Sequence, residues 1–475
     1  MRKRASLLFV WLWLATLPAH AQDAAPATLV SQLRSLVSDS GLGEHVGVAV
    51  VDARTGRPIF QFHAERPMNP ASNQKLVTAF TALRRLGANF QMRTAVQGRL
   101  QNGAVSGGLA LRGYGDPDLS YGDLVTLARD VRLSGVRRVD RVIVDASYFD
   151  DEILPNAFEQ QPNEVAAFRA PIGAVSVNRN AYVLRVLPGP EVGAAARVEL
   201  LGAPYFDVSN RMSTTADGAP NVIADQRGDG ERLSLRLSGT VPSNIRGVSY
   251  RRRIANPLYW SGHVFGEALR SQGIEVGEGV SLEATPSGAP VLASHQSAPV
   301  GTLIHALGKH SDNFVAEMLF KVMGAEAHSP GRAEDAVSAV NEALRDAEID
   351  TARIEIINGS GLFTGNRIAP QRLVEILSAA YRDPAIRPDF MSSLSVAGVD
   401  GTLRRRLRNL PAPRVVRAKT GTLAAVIALS GYVLGPEPGE AYAFSFLAND
   451  VRGRIGPSRA LADSIARALA EHLHD

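Results

Sequence analysis

Ser72 and Lys75 stand three residues apart in the stretch NPASNQKLVTAF, residues 69–80. Leu76, Phe80 and Leu83 recur at helical spacing, Arg84 and Arg85 fall on the other side, and Gly87 follows as a stop signal. Continued backwards, the apolar stripe puts Ser72 on the buried face of a helix. Lys75 borders that face one turn on, so the two side chains are neighbours. A buried ammonium is costly. Desolvation lowers a lysine's pKa, and a neutral amine can take a serine proton, so the pair could be a nucleophile and its base. A serine this close to a lysine is common by chance, but only five of the 51 basic residues are lysine, at 3, 75, 309, 321 and 419. Only lysine can lose its proton near neutral pH, so a chain that otherwise uses arginine keeps lysine where its chemistry is needed.

Two further clusters qualify. Lys419-Thr420-Gly421-Thr422 lies on an expected strand in RAKTGTLAAV. Gly421 has no side chain, so a substrate backbone could lie along the strand edge, with lysine and threonine beside it to hold a carboxylate. Taken alone, the same residues read as an edge strand with a solubilising lysine. Ser311-Asp312-Asn313 opens an expected helix through Phe314, Met318 and Lys321, where Ser311 or Asp312 could simply be its cap. Ser176-Val177-Asn178 has the same spacing but leads into a strand-like run. Ser311 is preferred, because its helix would set polar side chains into a groove beside the Ser72 helix.

These clusters need a scaffold. Residues 45–63 read as a β-hairpin around the turn Ala53-Arg54-Thr55-Gly56. RVVRAKTG, AAVIALSGYVLG and AYAFSFLAND are three strand candidates in series, the last two separated by a turn at Gly435 to Gly439. A closing amphipathic helix carries Leu461, Ile465 and Leu469. The two ends of the chain therefore build one antiparallel sheet with helices on its faces, an α+β fold. Between them, residues 91–295 are rich in short strands, with helical stretches at Tyr121 to Leu133 and near Trp260 to Gln272. This is a large, mainly β insertion in one or two parts. Residues 22–90 and 296–475 form the discontinuous catalytic domain.

The 475 residues exceed one ordinary core. Residues 1–21 read as a secretory leader: Arg2, Lys3 and Arg4, an apolar run from Ala5 to Leu17, and Ala19-His20-Ala21 as the cleavage site. A membrane anchor is the rival, but the apolar run is short for a span. The formal charge is +4, of which the leader supplies three basic residues, so the processed chain is near neutral. The short runs Arg251–Arg253 and Arg404–Arg406 are solvated faces, and no nucleic-acid partner is expected. With no cysteine, disulfides, thiolate metal sites and a lipidated N-terminal cysteine are excluded. An exported, periplasmic protein without a stable membrane anchor fits.

S-x-x-K, S-x-N and K-T-G in this order are the set of penicillin-binding proteins and class A β-lactamases. NPASNQKL, GYGDPDLS, HSDNFVAEML, NGSGL (358–362), VAGVDGTLRRRL (396–407) and AKTGTLAAVIALSGYV (418–433) together resemble one family. It is the class C low-molecular-mass penicillin-binding proteins, the D-alanyl-D-alanine carboxypeptidase/endopeptidases of penicillin-binding protein 4 type. The long interval between Lys75 and Ser311 is similar to theirs and far longer than a β-lactamase's. Ser395 stands where the family prefers proline.

The resemblance implies a DD-peptidase/serine β-lactamase-like fold acting on peptidoglycan stem peptides and cross-bridges. It implies Ser72 as nucleophile, Lys75 as base, Ser311 as proton relay and Asn313 on the substrate amide. Lys419, Thr420, Gly421 and Thr422 would bind the terminal carboxylate, and the backbone N–H groups of Ser72 and Thr422 would form the oxyanion hole. β-Lactams would acylate Ser72 as slow substrates, and no metal or cofactor is required. A serine β-lactamase or esterase on the same fold, and a non-catalytic wall-binding scaffold, are the alternatives. No H-E-x-x-H occurs, and NGSGL lacks the first glycine of a hydrolase elbow. The acidic cluster Asp150-Asp151-Glu152 reads either as a solvated loop or as a contact for the free amine of a stem peptide. On the second reading the insertion sets substrate choice and leaves acylation alone.

Overall fold

In the computed structural model, which describes residues 27–201, 205–228, 231–277 and 279–475, the two apolar runs around Ala53–Gly56 pair as an antiparallel hairpin. Its strands are β1 (Val46–Asp52) and β2 (Pro58–Phe62). The Asp52 carboxylate accepts hydrogen bonds from the Arg54 and Thr55 N–H groups and the Thr55 hydroxyl, and Gly56 takes a positive φ of 75°, so the turn is locally encoded. From the far end of the chain come β3 (Ser395–Val396), β4 (Val416–Leu423), β5 (Val426–Leu434) and β6 (Ala441–Asn449). The sheet order is β3-β4-β5-β6-β1-β2, antiparallel at every step. The leader expected over residues 1–21 lies outside the described residues.

The inner strands are buried on both faces, and the period of two sorts their side chains. Val48, Val50, Leu429, Phe444 and Phe446 face a layer formed by the C-terminal helix with α1 (Ala27–Asp39) packed beside it. Ala49, Val51, Ala428, Tyr432 and Leu447 face a larger helical layer. That layer holds α2 (Gln74–Arg85), α5 (Val300–His310), α6 (Asn313–Ala327), α7 (Ala333–Arg345), α8 (Pro370–Arg382) and α9 (Arg387–Ser393). The C-terminal helix is α10 (Ile455–His474), and it buries Leu461, Ile465 and Leu469.

Residues 93–296 hold the other four sheets around a second core. One is five-stranded, with parallel pairing of Leu109–Gly113 to Val142–Asp145 and of Val142–Asp145 to Val280–Leu282. Helices α3 (Tyr121–Leu133) and α4 (Pro257–Ser271) share its core. Two three-stranded sheets, built from residues between Ala181 and Arg253, pack into the same core. The chain leaves and re-enters the helical layer along one seam. Ser297 N–H donates to the Met92 carbonyl at 2.8 Å, and Val300 N–H donates to that of Phe90 at 2.9 Å.

Candidate active site

Ser72 lies in a 3₁₀ turn, Ala71–Asn73, directly ahead of α2. Three neighbours hold this turn. The Asn449 amide on β6 makes a reciprocal pair with the Asn69 backbone, at 2.8 and 3.1 Å. The Asn73 amide, oriented by its surroundings, donates to the Lys419 carbonyl at 2.9 Å and accepts from the Ser430 hydroxyl at 2.6 Å. Gly361, at φ +71°, lies so close that a Cβ there would stand 1.9 Å from the Ala71 carbonyl oxygen. The serine is thus fixed against β4, β5 and the 358–362 loop.

Lys75 is 1% exposed. Its Nζ reaches the Ser72 Oγ at 3.1 Å, the Asn313 Oδ1 at 2.7 Å and the Ser360 carbonyl at 2.6 Å. An ammonium fills all three acceptors. A neutral amine keeps two of them and turns its lone pair to Ser72, whose hydroxyl then donates. Burial lowers the Lys75 pKa to about 7, against the opposing charges of Glu317 and Asp312.

Lys419 is wholly buried, with Nζ 2.9 Å from the Ser311 Oγ and 2.6 Å from the Thr420 carbonyl. Burial, and then the charge of Lys75, push its pKa well below the usual lysine range. Two buried ammonium groups side by side oppose one another, so each favours the neutral form of the other. Ser311 terminates α5 in the left-handed region, φ +57°, which is uncommon for serine and aims its hydroxyl at Lys419. Asp312, not Ser311, caps α6, accepting from Val315 N–H at 3.1 Å. Asn313 follows, and its Nδ2 donates to the Phe168 carbonyl of the insertion at 3.0 Å.

On β4, two expectations change. Gly421 is required by packing: a Cβ would stand 3.1 Å from the Pro70 carbonyl oxygen and 2.9 Å from the Ala428 Cβ. The missing side chain lets the strand lie on the serine turn. The Thr420 hydroxyl donates to Thr402 Oγ1 at 2.8 Å, which in turn lies 3.2 Å from the Ser395 hydroxyl. Thr420 can face a carboxylate only if that hydroxyl chain reverses. Thr422 is exposed. Beyond Arg417 and Ala418, which pair with β3, the outer edge of β4 has no strand partner among the described residues. An extended peptide can add there.

The acidic cluster also reads differently. Asp150 pairs with Lys321 of α6, whose Nζ also reaches the Glu152 carbonyl at 3.3 Å, leaving only Asp151 and the Glu152 side chain exposed. Asp150 therefore joins the insertion to α6 and is not free to meet a substrate amine. Ser176, the rival serine, is buried and bonded to the Gly173 carbonyl at 2.8 Å.

Glu317 was not singled out in the sequence. It is 2% exposed, and its two oxygens accept the N–H groups of Gly359 and Ser360 at 3.0 and 2.8 Å. The carboxylate thereby mounts the loop whose Ser360 carbonyl receives Lys75. Burial raises its pKa, while those bonds and Lys75 oppose the rise. The signal was present: Asn313, Glu317 and Lys321 recur every four residues on a helix whose remaining residues are apolar up to Glu326.

The sequence profile of the D-Ala-D-Ala carboxypeptidase 3 (S13) family matches residues 29–471. The D-alanyl-D-alanine carboxypeptidase of Actinomadura sp. (strain R39) is 36% identical, over 96% of this chain and 86% of that protein. The crystal structure of penicillin binding protein 4 (dacB) from Haemophilus influenzae superposes with a TM-score of 0.78 at 26% identity, over 92% of this chain and 99% of that one. The same Haemophilus protein complexed with a β-lactam superposes with a TM-score of 0.74 over the same shares.

Proposed function

The chain belongs to the D-Ala-D-Ala carboxypeptidase 3 (S13) family, and on that premise we propose that Ser72 cleaves the terminal D-Ala-D-Ala bond of peptidoglycan stem peptides through an acyl-enzyme. The arrangement of Lys75 carries the reading: a buried amine whose pKa is near 7 lies within 3.1 Å of a serine hydroxyl fixed by its surroundings. Lys75 takes the Ser72 proton as Oγ adds to the penultimate carbonyl. The backbone N–H groups of Ser72 and Thr422 receive the oxyanion. Ser311 passes that proton from Lys75 to the departing D-alanine nitrogen and recovers its own, and water then hydrolyses the ester, its proton returning to the Ser72 oxygen by way of Lys75.

The substrate carboxylate binds Lys419, with Thr420 and Thr422 beside it. Its negative charge restores the Lys419 ammonium. With a cross-bridge amine in place of D-alanine, the same steps make an endopeptidase. β-Lactams acylate the same oxygen and inhibit the enzyme. The leader expected in the sequence would deliver the chain to the periplasm, and no helix of the described residues is long and apolar enough to cross a membrane.

A fluorescent penicillin tests the proposal directly. Intact-mass and peptide analysis should find one stable adduct, on Ser72, and none in Ser72→Ala. The wild-type enzyme should release D-alanine from an acyl-D-Ala-D-Ala peptide. Fast turnover of the label would indicate a β-lactamase instead, and no label a scaffold.

A further inference from the structure

Asp312 stands between Ser311 and Asn313, and both of its oxygens are used. Oδ1 caps α6, while Oδ2 accepts from the Arg179 guanidinium of the insertion at 2.6 Å. We infer that Arg179 is a positioning residue for acylation: by holding Asp312 it cancels a carboxylate charge that would otherwise favour the Lys75 ammonium. The inference rests on the reading of Lys75 as the base of Ser72.

The chain goes to some length to place this arginine. Asn178, Arg179 and Asn180 are three successive left-handed residues, with φ of 53°, 57° and 48°. Asparagine tolerates that region, whereas arginine enters it at a steric cost. Neighbours hold the turn. The fully buried Asn180 amide donates to the Pro171 carbonyl and the Ser176 hydroxyl, both at 2.9 Å. The Asn178 side chain accepts from Tyr121 N–H at 3.2 Å, and Arg251 donates to the Asn178 carbonyl at 3.2 Å. A strained turn held this firmly on the insertion, with its guanidinium on the S-x-N segment of the catalytic domain, is more than a surface ion pair needs.

The charges around the pair give the sign. Asp312 and Glu317, both associated with α6, favour the Lys75 ammonium. The Lys75 ammonium in turn disfavours charge on Lys419 of β4. Arg179 opposes Asp312, and its own other neighbours are Asp118 at 3.4 Å and, around a cavity of about 560 Å³, Arg251 and Glu267. Removing the guanidinium leaves the Asp312 charge unopposed, so Lys75 holds its proton to higher pH. Removing the Asp312 charge does the reverse.

The test is the pH dependence of the second-order rate of acylation by a fluorescent penicillin. In Arg179→Gln, which can still bond Asp312 without charge, the acidic limb should move up by about one pH unit, a roughly fivefold loss at pH 7 that vanishes near pH 9. Arg179→Lys should leave the limb where it is. Asp312→Asn, which still caps the helix, should move it down. A rate loss in Arg179→Gln that is equal at every pH, or no change, would overturn the inference. If Arg179→Gln does not fold, Asp312→Asn decides alone, an unmoved limb counting against. Lys75→Arg in the same assay separates the two claims. Near-normal acylation there would remove the base reading, whereas an intact limb that ignores residues 179 and 312 removes only this inference.

Discussion

At the scale of single residues, the site is a problem of too many buried charges in too little solvent. Lys75, Lys419 and Glu317 are each at most 2% exposed. Burial disfavours the charged form of both lysines and lowers their pKa values, and the Lys75 charge adds to the fall at Lys419. The scarcity of lysine in the sequence foreshadowed this, though it overreached. Lys309 and Lys321 lie elsewhere and pair with Asp400 and Asp150 as structural cations. What sets Lys75 apart is a serine hydroxyl at 3.1 Å and no carboxylate within ion-pair distance among the described residues. With Lys75 as the proposed base the neutral amine is the working form, so acylation should rise as pH passes through about 7, where burial sets the pKa of Lys75. Arginine cannot lose its proton and is bulkier in a buried site. Lys75→Arg should therefore fall at least a hundredfold in acylation rate, close to Lys75→Ala, the scale of a lost general base. Stopped-flow labelling from pH 5 to 9 checks both statements. A flat profile with a competent arginine variant would mean that Lys75 supplies only charge.

At the scale of elements, α6 is the spine of the site. Asn313 faces Lys75, Glu317 one turn on mounts the 358–362 loop, and Lys321 a turn further anchors the insertion. The loop is wedged between α6 and the serine turn, and its glycines allow the wedge. A Cβ on Gly359 would lie 2.6 Å from the Phe320 Cβ, and one on Gly361 would meet the Ala71 carbonyl. Gly361 also needs its positive φ. Gly361→Ala should destabilise the protein by about 3 kcal/mol or more, through strain and overpacking together. It should also displace Ser72, cutting acylation even in molecules that stay folded. Urea unfolding and active-site titration separate the two losses, and a folded, fully titratable variant would refute the wedge. Part of the element set was legible, though α1, α5, α7, α8 and α9 were not read from the sequence. The hairpin, the three late strands, the closing helix and helix α3 follow from period and turn chemistry in the sequence. The contacts that join them were not. The Ser360 carbonyl, the Phe168 carbonyl and the space reserved at Gly421 belong to backbone approaches between segments far apart in sequence, and no local pattern records those.

At the scale of the whole molecule, the insertion reads differently in structure than in sequence. As a sequence it looked like a module rooted near the cleft that selects substrate and leaves acylation alone. In the structure it enters the machinery. Its Phe168 carbonyl holds the Asn313 amide, its Arg179 holds Asp312, and its Gln160 and Asn156 bond to Thr364 and Asn358 beside the serine turn. It also completes the catalytic core. Phe149, Ala170, Ile172 and Ala174 are buried in the same apolar cluster as α2 and α6, and a Cβ on Gly115 would stand 2.5 Å from Val322 of α6. Local geometry favours removal, because the two crossings at 90–92 and 297–300 are bonded side by side and a short linker could close the gap. The exposed remainder decides otherwise. Excision would uncover the apolar flank of α6 and strip Lys321 of its Asp150 partner, and the lost apolar burial is the dominant cost. Domains of this kind are marginal by only about 5–15 kcal/mol. A chain with residues 93–296 replaced by a short Gly-Ser linker should therefore aggregate or melt well below the full protein. Any folded fraction should label with penicillin at least tenfold more slowly, because Asn313 and Asp312 have lost their partners. Differential scanning fluorimetry and labelling kinetics on that chain measure both. A stable core that labels at the full rate would return the insertion to the role of a substrate-selecting accessory.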